Sequence, residues 1–556
     1  MAWWATAILA AVVVAHVAVT LPPPALHVQS EGPSVEIAGG YHIHTVRSDG
    51  SGTVDEVAAA AARAGLSYII VTDHGDARRT PDPPAYKSGV LYIDAVEVGT
   101  TGGHIVALGL TGPAPYPLGG SPRDVLDDIH RLGGTAVIAH PDSATVGLSY
   151  RGPESGFDGI EWLNLDSEWR DKSPGTLLET ALHYLIRPPE SVASLLRRPA
   201  RTLARWDAAA RTRPVFGLAA LDAHARIGWR TRAEPRTGAG IDRPTYEAMF
   251  RSLAQVVVLE APLSGNAAVD APSVLNAIRR GRSFSIVRGL ASPASLTFTA
   301  RQGNTVVTMG SRLDLAAEET TFRAVLWTDP VAQVVLLRDG QAIATGQGAV
   351  ERTEPTAAGV YRIEAWLPDT RVPWIVSNPI TVAPSSVSPS VPDIGAEEVT
   401  PLSLETSAWR IEHQESSLGR LHADAGALRF DFRLGPGRPS GQFAALATSL
   451  PTGRPAIRIE FTARADQPLR MSVEVRRPAK TGGQRWCRSV FVDQTSREFD
   501  VPLSEFEPAE AVDTGSPPAA DVDSLLFVVD TVNTLPGTPG TIWLSNVALG
   551  RRAERR

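Results

Sequence analysis

From about Val35 to Val287 the chain alternates between two hydrophobic rhythms. The runs "AGGYHIHT", "LSYIIVTDHG", "TAVIAHPDS", "GFDGIEWLNL" and "PVFGLAALDAHA" read as strands. "LSYIIVTDHG" stays apolar until its polar end, as strands buried on both faces do. "TVDEVAAAAARAG" predicts a helix with Asp55 and Glu56 in its first turn and Gly65 ending it. "SPRDVLDDIHRLGG" predicts another, capped by Ser121 with Pro122 at its first position. "GVLYIDAVEVGTTGGHIVALGL" predicts two strands joined by a Thr/Gly turn, and "DAPSVLNAIRRGRSFSIV" a last helix and strand. Such alternation over about 250 residues implies an α/β domain, either a parallel barrel or an open sheet.

The pattern changes near Ala291. Residues 291–384 read as short alternating strands and turns, with Asp339-Gly340 in "VVLLRDGQAI" as a hairpin signal. That predicts a β-sandwich. "SSVSPSVPDIGAEEVTP" has too little apolar content to pack, so 385–401 is expected to be a linker. Residues 402–551 are strand-like again and predict a second β-sandwich, a jelly roll. At the other end, "MAWWATAILAAVVVAHVAVTL" carries no Lys, Arg, Asp or Glu and is long enough to span a bilayer. With the Pro-rich spacer after it, 1–34 is expected to be a signal or anchor segment. It lacks a basic n-region and a clear A-x-A cleavage site, so cleavage and anchoring both stay open. The expectation is an extracytoplasmic protein that meets a membrane through this segment alone.

Composition narrows the chemistry. A chain of 556 residues exceeds one core, giving a prior of about three to four domains. A net charge of −7 gives no reason to expect nucleic acid as a stable partner. The single cysteine, Cys487, excludes an intrachain disulfide framework and a cysteine-ligated zinc site. Any metal must be held by histidines and carboxylates.

The histidines supply the pattern. His42 and His44 lie at i and i+2 on a strand, so both imidazoles can face one ion. Alone this H-x-H is weak. But His74 ends a strand in "VTDHGD", His140 ends one in "VIAHPD", and His224 sits in "LDAHA" two residues after Asp222. His104 opens "GHIVALGL" after Glu97 in "VEVGT". The C-terminal ends of parallel strands are where such folds place their sites. Several histidines converging on one rim point to metal ligation. His130 and His183 fall in helical patterns, His413 and His422 in the C-terminal β region, and His16 and His27 in the N-terminal segment. Ordinary structural roles are expected for these six.

"YHIHTVRSDG", "VTDHGD", "VEVGTTGGHIVALGL", "IAHPDS" and "LDAHA", in this order, resemble the PHP (polymerase and histidinol phosphatase) metallohydrolases over residues 35–290. The resemblance implies a distorted (β/α)7 barrel, with two all-β sandwich domains following it here. It also implies a site of two or three divalent ions at the strand C-termini. Carried over by motif, His42 and His44 match ligands of a first metal, Glu97 the bridging carboxylate, and His104 and His140 second-metal ligands. Asp49, His74 and His224 match a third position, and Asp222 a late aspartate on the first. Asp49 has a competing reading as a turn carboxylate in "SDGSG".

Imidazole–carboxylate ligation suits Zn²⁺, Mn²⁺ or Fe²⁺ equally. Paired cations lower the pKa of a shared water toward about 7, which suits hydrolysis. Glu97 and Asp222 are the residues closest to that chemistry, and Asp73, next to His74, is a candidate to support the ligands from behind, with a solvated turn carboxylate as the alternative. Arg47 and Arg226 are candidate contacts for a phosphate oxygen, with exposed charge as the alternative. The expected activity is that of an exported metal-dependent phosphoesterase, with a small-molecule or phosphoester substrate. A carboxyl or carbamate ester hydrolase, as in the branch related to carbaryl hydrolase, is the first alternative. A surface binding protein with an idle barrel is the second. Trp409, Trp486 and Trp543 offer carbohydrate contact through the jelly roll, although core packing is their commoner use.

Overall fold

The computed structural model describes residues 2–29, 35–225, 244–328, 332–384, 397–436, 441–451, 456–481, 483–509 and 522–552. The chain divides into two compact units, Met1–Pro113 with Ser121–Val387, and Ala114–Gly120 with Ser388–Arg556.

The first unit begins with α1 (Ala2–Thr20), β1 (Leu26–His27), β2 (Glu36–Tyr41), α2 (Val54–Arg63), β3 (Tyr68–Val71), β4 (Ala85–Lys87) and β5 (Val90–Asp94). It continues with β6 (Val96–Thr100), β7 (Gly103–Leu108), α3 (Pro122–Arg131), β8 (Thr135–Ile138) and β9 (Gly159–Asn164). Four helices follow in succession: α4 (Leu165–Arg170), α5 (Pro174–Tyr184), α6 (Pro188–Ala193) and α7 (Ala200–Thr212). Then come β10 (Phe216–Ala220), α8 (Tyr246–Ser252), β11 (Ala254–Val258), α9 (Ala267–Arg279) and β12 (Ser283–Ile286).

These strands divide between two sheets. One has the order β10-β9-β8-β7-β6, with β8, β9 and β10 parallel and the β6–β7 hairpin antiparallel at its edge. The other carries β12-β11-β2-β3-β5-β4, with β2, β3 and β5 parallel. Two single bridges, His74 to Glu97 and Ile43 to Ala223, join the sheets at the strand ends. Strands β3, β5, β8 and β10 are buried throughout, which explains their unbroken apolar runs. Helix α2 opens with a capping box, Thr53 Oγ1 accepting from the Glu56 amide while Glu56 accepts from the Thr53 amide.

Two expectations need adjusting here. The "GVLYIDAVEVGTTGGHIVALGL" segment forms three strands, because β5 pairs with β3 while β6 pairs with β7 in the other sheet. The chain changes sheets at Ala95. The second concerns 291–384: Ile375–Ser377 pairs antiparallel with β12, so one sheet runs on past residue 290. The remaining strands of that region include a four-stranded antiparallel sheet around Leu296–Gln302 and Glu319–Leu326.

Helix α1 is apolar and long enough to cross a membrane by length and composition. Its last turns meet α5: His16 Nε2 lies 3.4 Å from Glu179 Oε1, and Thr20 Oγ1 lies 2.9 Å from His183 Nε2.

The second unit is built from two six-stranded sheets around a core that includes Phe430, Phe461, Met471, Phe527 and Leu544. In Ala427–Arg433 the inward positions Leu428, Phe430 and Phe432 alternate with outward polar ones, the period of a strand with one face in the core. The expected linker is shorter than 385–401, since Glu397–Pro401 pairs with Ala548–Arg552 at a sheet edge. Backbone pairing there needs no apolar side chains. Residues 385–396 lie outside the described residues. Trp409 and Trp486 are buried in this core, and Trp543 is half-buried with the Arg464 guanidinium 3.6 Å above its ring.

Candidate metal centre

All nine expected ligands come together at the bridged ends of the two sheets. His42 and His44 follow β2, Asp49 lies in the turn after them, and His74 follows β3. Glu97 lies on β6, His104 on β7, His140 just beyond β8, and Asp222 and His224 just beyond β10. Four overlapping groups have ligating atoms within 4.8 Å of one another: His44, Asp49, His74 and His224; His42, His140 and Asp222; His42, His44 and Glu97; and His74, Glu97 and His104. His140 Nε2 is also 2.9 Å from Glu97 Oε1.

The backbone is unusual here. His42, His140 and Asp222 have φ of 62°, 29° and 48°, a left-handed region costing non-glycine residues on the order of 1 kcal/mol or more. Three ligand candidates are held in this conformation, and together their ligating atoms lie within 4.8 Å of one another.

Hydrogen bonds fix which nitrogen each imidazole presents. His42 Nδ1 lies 2.5 Å from Glu161 Oε1, a carboxylate oxygen that can only accept. His140 Nδ1 faces the Leu148 carbonyl at 3.0 Å, and His224 Nδ1 the Asp222 carbonyl at 2.9 Å. Ser48 donates its hydroxyl to Asp73 Oδ1 at 2.7 Å, so the contact of His44 Nδ1 with Ser48 Oγ at 3.3 Å makes the imidazole the donor. In all four rings the proton sits on Nδ1 and the Nε2 lone pair faces the cluster. His42 Nε2 and His44 Nε2 are 3.1 Å apart, and Asp222 Oδ1 lies 3.4 Å and 3.2 Å from them.

This donor set fits cations. Glu97 Oε2 and His74 Nδ1 are buried without a hydrogen-bond partner, though only 3.1 Å apart. Lone pairs aimed at lone pairs and at carboxylates are stable only with positive charge between them. The proton affinities show the same demand. Burial opposes charge on His42, yet Glu161, Asp222 and Glu97 raise its pKa well above the ordinary value. Burial likewise opposes charge on His140 and His224, but hydrogen bonds to Glu97 and Asp49 push them up to about 9 and about 10. Burial and the neighbouring His224 lower His44. Burial would raise Glu97 and Asp222, but the surrounding imidazoles hold both well below the usual carboxylate range. Asp49, on a side chain 46 % exposed, is also held low: burial opposes this, and His224 and His74 outweigh it.

Asp73 is buried and accepts from the Thr45 amide, the Thr45 hydroxyl and the Ser48 hydroxyl, each at 2.7 Å. It is therefore a pin for the loop carrying Asp49, not a solvated turn carboxylate. Arg47 is held by Asp82 at 2.6 Å and the Tyr92 hydroxyl at 3.1 Å, beside a small cavity that His74 also lines. Arg226 lies outside the described residues.

Two residues escaped the sequence reading. Glu161, inside the apolar strand β9, accepts from His42, from the His140 amide at 2.8 Å and from Asn164 Nδ2 at 2.9 Å. Its closeness to His140 follows from the pairing of β9 beside β8, and its contact with His42 reaches across to the end of β2 in the other sheet; no motif marks either. Arg170 ends α4, bound to Asp166 at 2.5 Å, and feels the charges of Asp222 and Asp49.

No protein-family model matches the chain, and no curated protein matches it. Among solved structures, a family 11 carbohydrate-binding module from Clostridium thermocellum, complexed with a mixed-linked tetrasaccharide, is 15% identical. That likeness spans 27% of this chain and 94% of that one, with a TM-score of 0.22. A second family 11 module, from a cellulosomal cellulase of the same organism, is 15% identical over 29% of this chain and 98% of that one, with a TM-score of 0.23. Similarities of this size carry no assignment of function.

Proposed function

We propose that this chain is an exported metal-dependent hydrolase of the PHP kind, most directly a phosphoesterase, with its two bridged sheets forming the halves of a distorted barrel. The observation that carries the proposal is the set of Nε2 lone pairs and carboxylate oxygens converging on one another, with Glu97 Oε2 left unpartnered. His42, His44, Glu97 and Asp222 would hold one ion, Glu97, His104 and His140 a second, and Asp49, His74 and His224 a third. Zn²⁺, Mn²⁺ and Fe²⁺ all suit these donors. When bound, such ions supply Lewis acidity and lower the pKa of coordinated water.

The chain's own residues supply the rest. Glu161 holds His42 in the ligating tautomer and anchors the His140 backbone. Asn164 Nδ2 holds Asp222 Oδ2 at 3.2 Å, leaving Oδ1 toward the cluster as an acceptor for a proton from attacking water. Arg170, charged and 39 % exposed at the rim, is placed to pair with a phosphoryl oxygen, which favours a phosphoester over a neutral carbamate. The apolar helix α1 is the basis for proposing export or anchoring.

Metal analysis of the purified protein, joined to a panel of phosphomonoesters, phosphodiesters and aryl carbamates, tests this reading. Two or three ions per chain are expected, with hydrolysis lost in His42→Ala and Glu97→Ala while both variants stay folded. Full activity in both variants, or fewer than two ions, would overturn it.

A further inference from the structure

A cavity of about 380 Å³ opens directly beside the metal cluster, within the roughly 300–1,000 Å³ usual for small-molecule sites. Asp222 and His224 form its polar end. Its other walls come from Trp169, Leu177, Ala181, Val192 and Met249, on helices α4, α5, α6 and α8, with Leu185 at its mouth. Asp166 also lines it, but its two oxygens are taken by Trp169 Nε1 at 2.7 Å and Arg170 Nε at 2.5 Å. Leu185 is 79 % exposed, and Leu178 and Ile186 beside it are exposed as well. Among the described residues this apolar concavity is open, and apolar surface of that kind gains free energy when an occupant covers it.

The arrangement is that of a two-part subsite. The polar end belongs to the cluster itself, and Arg170 follows the wall residue Trp169 on α4. The apolar end begins within the same walls, so one molecule can occupy both. We infer that the substrate is an ester carrying an apolar aryl or alkyl substituent, which seats among Trp169, Leu177 and Ala181 while the ester group lies at Asp222 and His224. This rests on the metallohydrolase reading proposed above and adds the substrate class to it.

Burying a methylene is worth about fourfold in affinity, at about 0.8 kcal/mol each. With methyl, butyl and octyl p-nitrophenyl phosphates, kcat/KM should therefore climb by more than about 30-fold from methyl to butyl. Ala181→Trp, which fills the cavity, and Leu177→Asp, which makes it polar, should each flatten that climb to less than about threefold, with metal content retained. An equal kcat/KM for all three esters would overturn the subsite while leaving the metallohydrolase reading intact. Calorimetry with octylphosphonate and methylphosphonate reads the cavity without turnover. Octylphosphonate binding more than about tenfold tighter, with the difference lost in both variants, supports the subsite even if no ester is cleaved; equal binding refutes it. Supplying the octyl ester as monomer or within phosphatidylcholine vesicles distinguishes a soluble from a membrane-borne source.

Discussion

Glu161→Gln isolates a residue that touches no expected ion and yet should govern how ions are held. The carboxylate serves three donors at once: His42 Nδ1 at 2.5 Å, the His140 amide at 2.8 Å and Asn164 Nδ2 at 2.9 Å. Glutamine has nearly the same volume but can accept through one oxygen only. If its amide nitrogen takes the Oε2 position, it faces two donors, the His140 amide and Asn164. If it takes the Oε1 position, it faces the His42 Nδ1 proton, and His42 must move that proton to Nε2, the atom aimed at the cluster. In the first orientation buried donors lose their acceptor, costing about 1–3 kcal/mol. The orientation that changes the tautomer also blocks a ligand, and losses of roughly 10–100-fold in metal affinity follow from such outer contacts. Chelator competition with metal quantification measures the affinity, and thermal melting of the metal-free protein measures the stability. Wild-type affinity and melting temperature in Glu161→Gln would refute the tautomer argument.

Three further outcomes are expected. Asp49→Ala should remove one ion and leave the others, counted by metal analysis; an unchanged count would return Asp49 to the role of a turn residue. Arg170→Ala should raise KM for a phosphoester by about tenfold with metal content unchanged, and leave KM for a neutral aryl carbamate alone. Glu474, in the second unit, has its pKa pushed by burial to about 7 from 4.5, outweighing Arg485 at 3.3 Å. The folded state then binds a proton that the unfolded chain has lost, so stability is full below about 4.5 and falls as pH rises to about 7. At 1.36 kcal/mol per pH unit the loss is about 3 kcal/mol, and Glu474→Gln should flatten it in denaturant titrations across that range. An identical pH dependence in the variant would refute this.

What the sequence disclosed was whatever depends on short spacing. His42 and His44 sit two apart, Asp222 and His224 two apart, and both pairs, like His74 and His140, follow runs of apolar residues that end at the rim, whereas His104 opens its strand. Helix α2 was legible from Asp55 and Glu56 in its first turn and Gly65 after its end, whereas its capping box shows only in the structure. The hidden parts depend on long-range pairing. Glu161 reads as one more strand residue until β9 lies beside β8. Arg47 looked free until the segment after His74 brought Asp82 against it. The apolar cavity collects residues from Leu165 to Met249 across four helices, which no local pattern links. The change of sheet at Ala95 was equally invisible, because both strands are apolar and nothing in "YIDAVEV" marks a break.

That change of sheet gives the centre a mechanical meaning. His42, His44 and His74 follow strands of one sheet, whereas Glu97, His104, His140, Asp222 and His224 belong to or follow strands of the other. Across the seam between the strands carrying them, the links among the described residues include two single bridges, His74 to Glu97 and Ile43 to Ala223, and the Leu221 amide on the Tyr41 carbonyl at 3.0 Å. Ions bound by His42, His44, Glu97 and Asp222 would clasp the seam, tightening it by their binding free energy. Amide hydrogen exchange at Ile43, Asp73, Glu97 and Ala223 should slow on metal loading far more than exchange in the interior of β8 and β9. The cofactor of such a site is also its rivet.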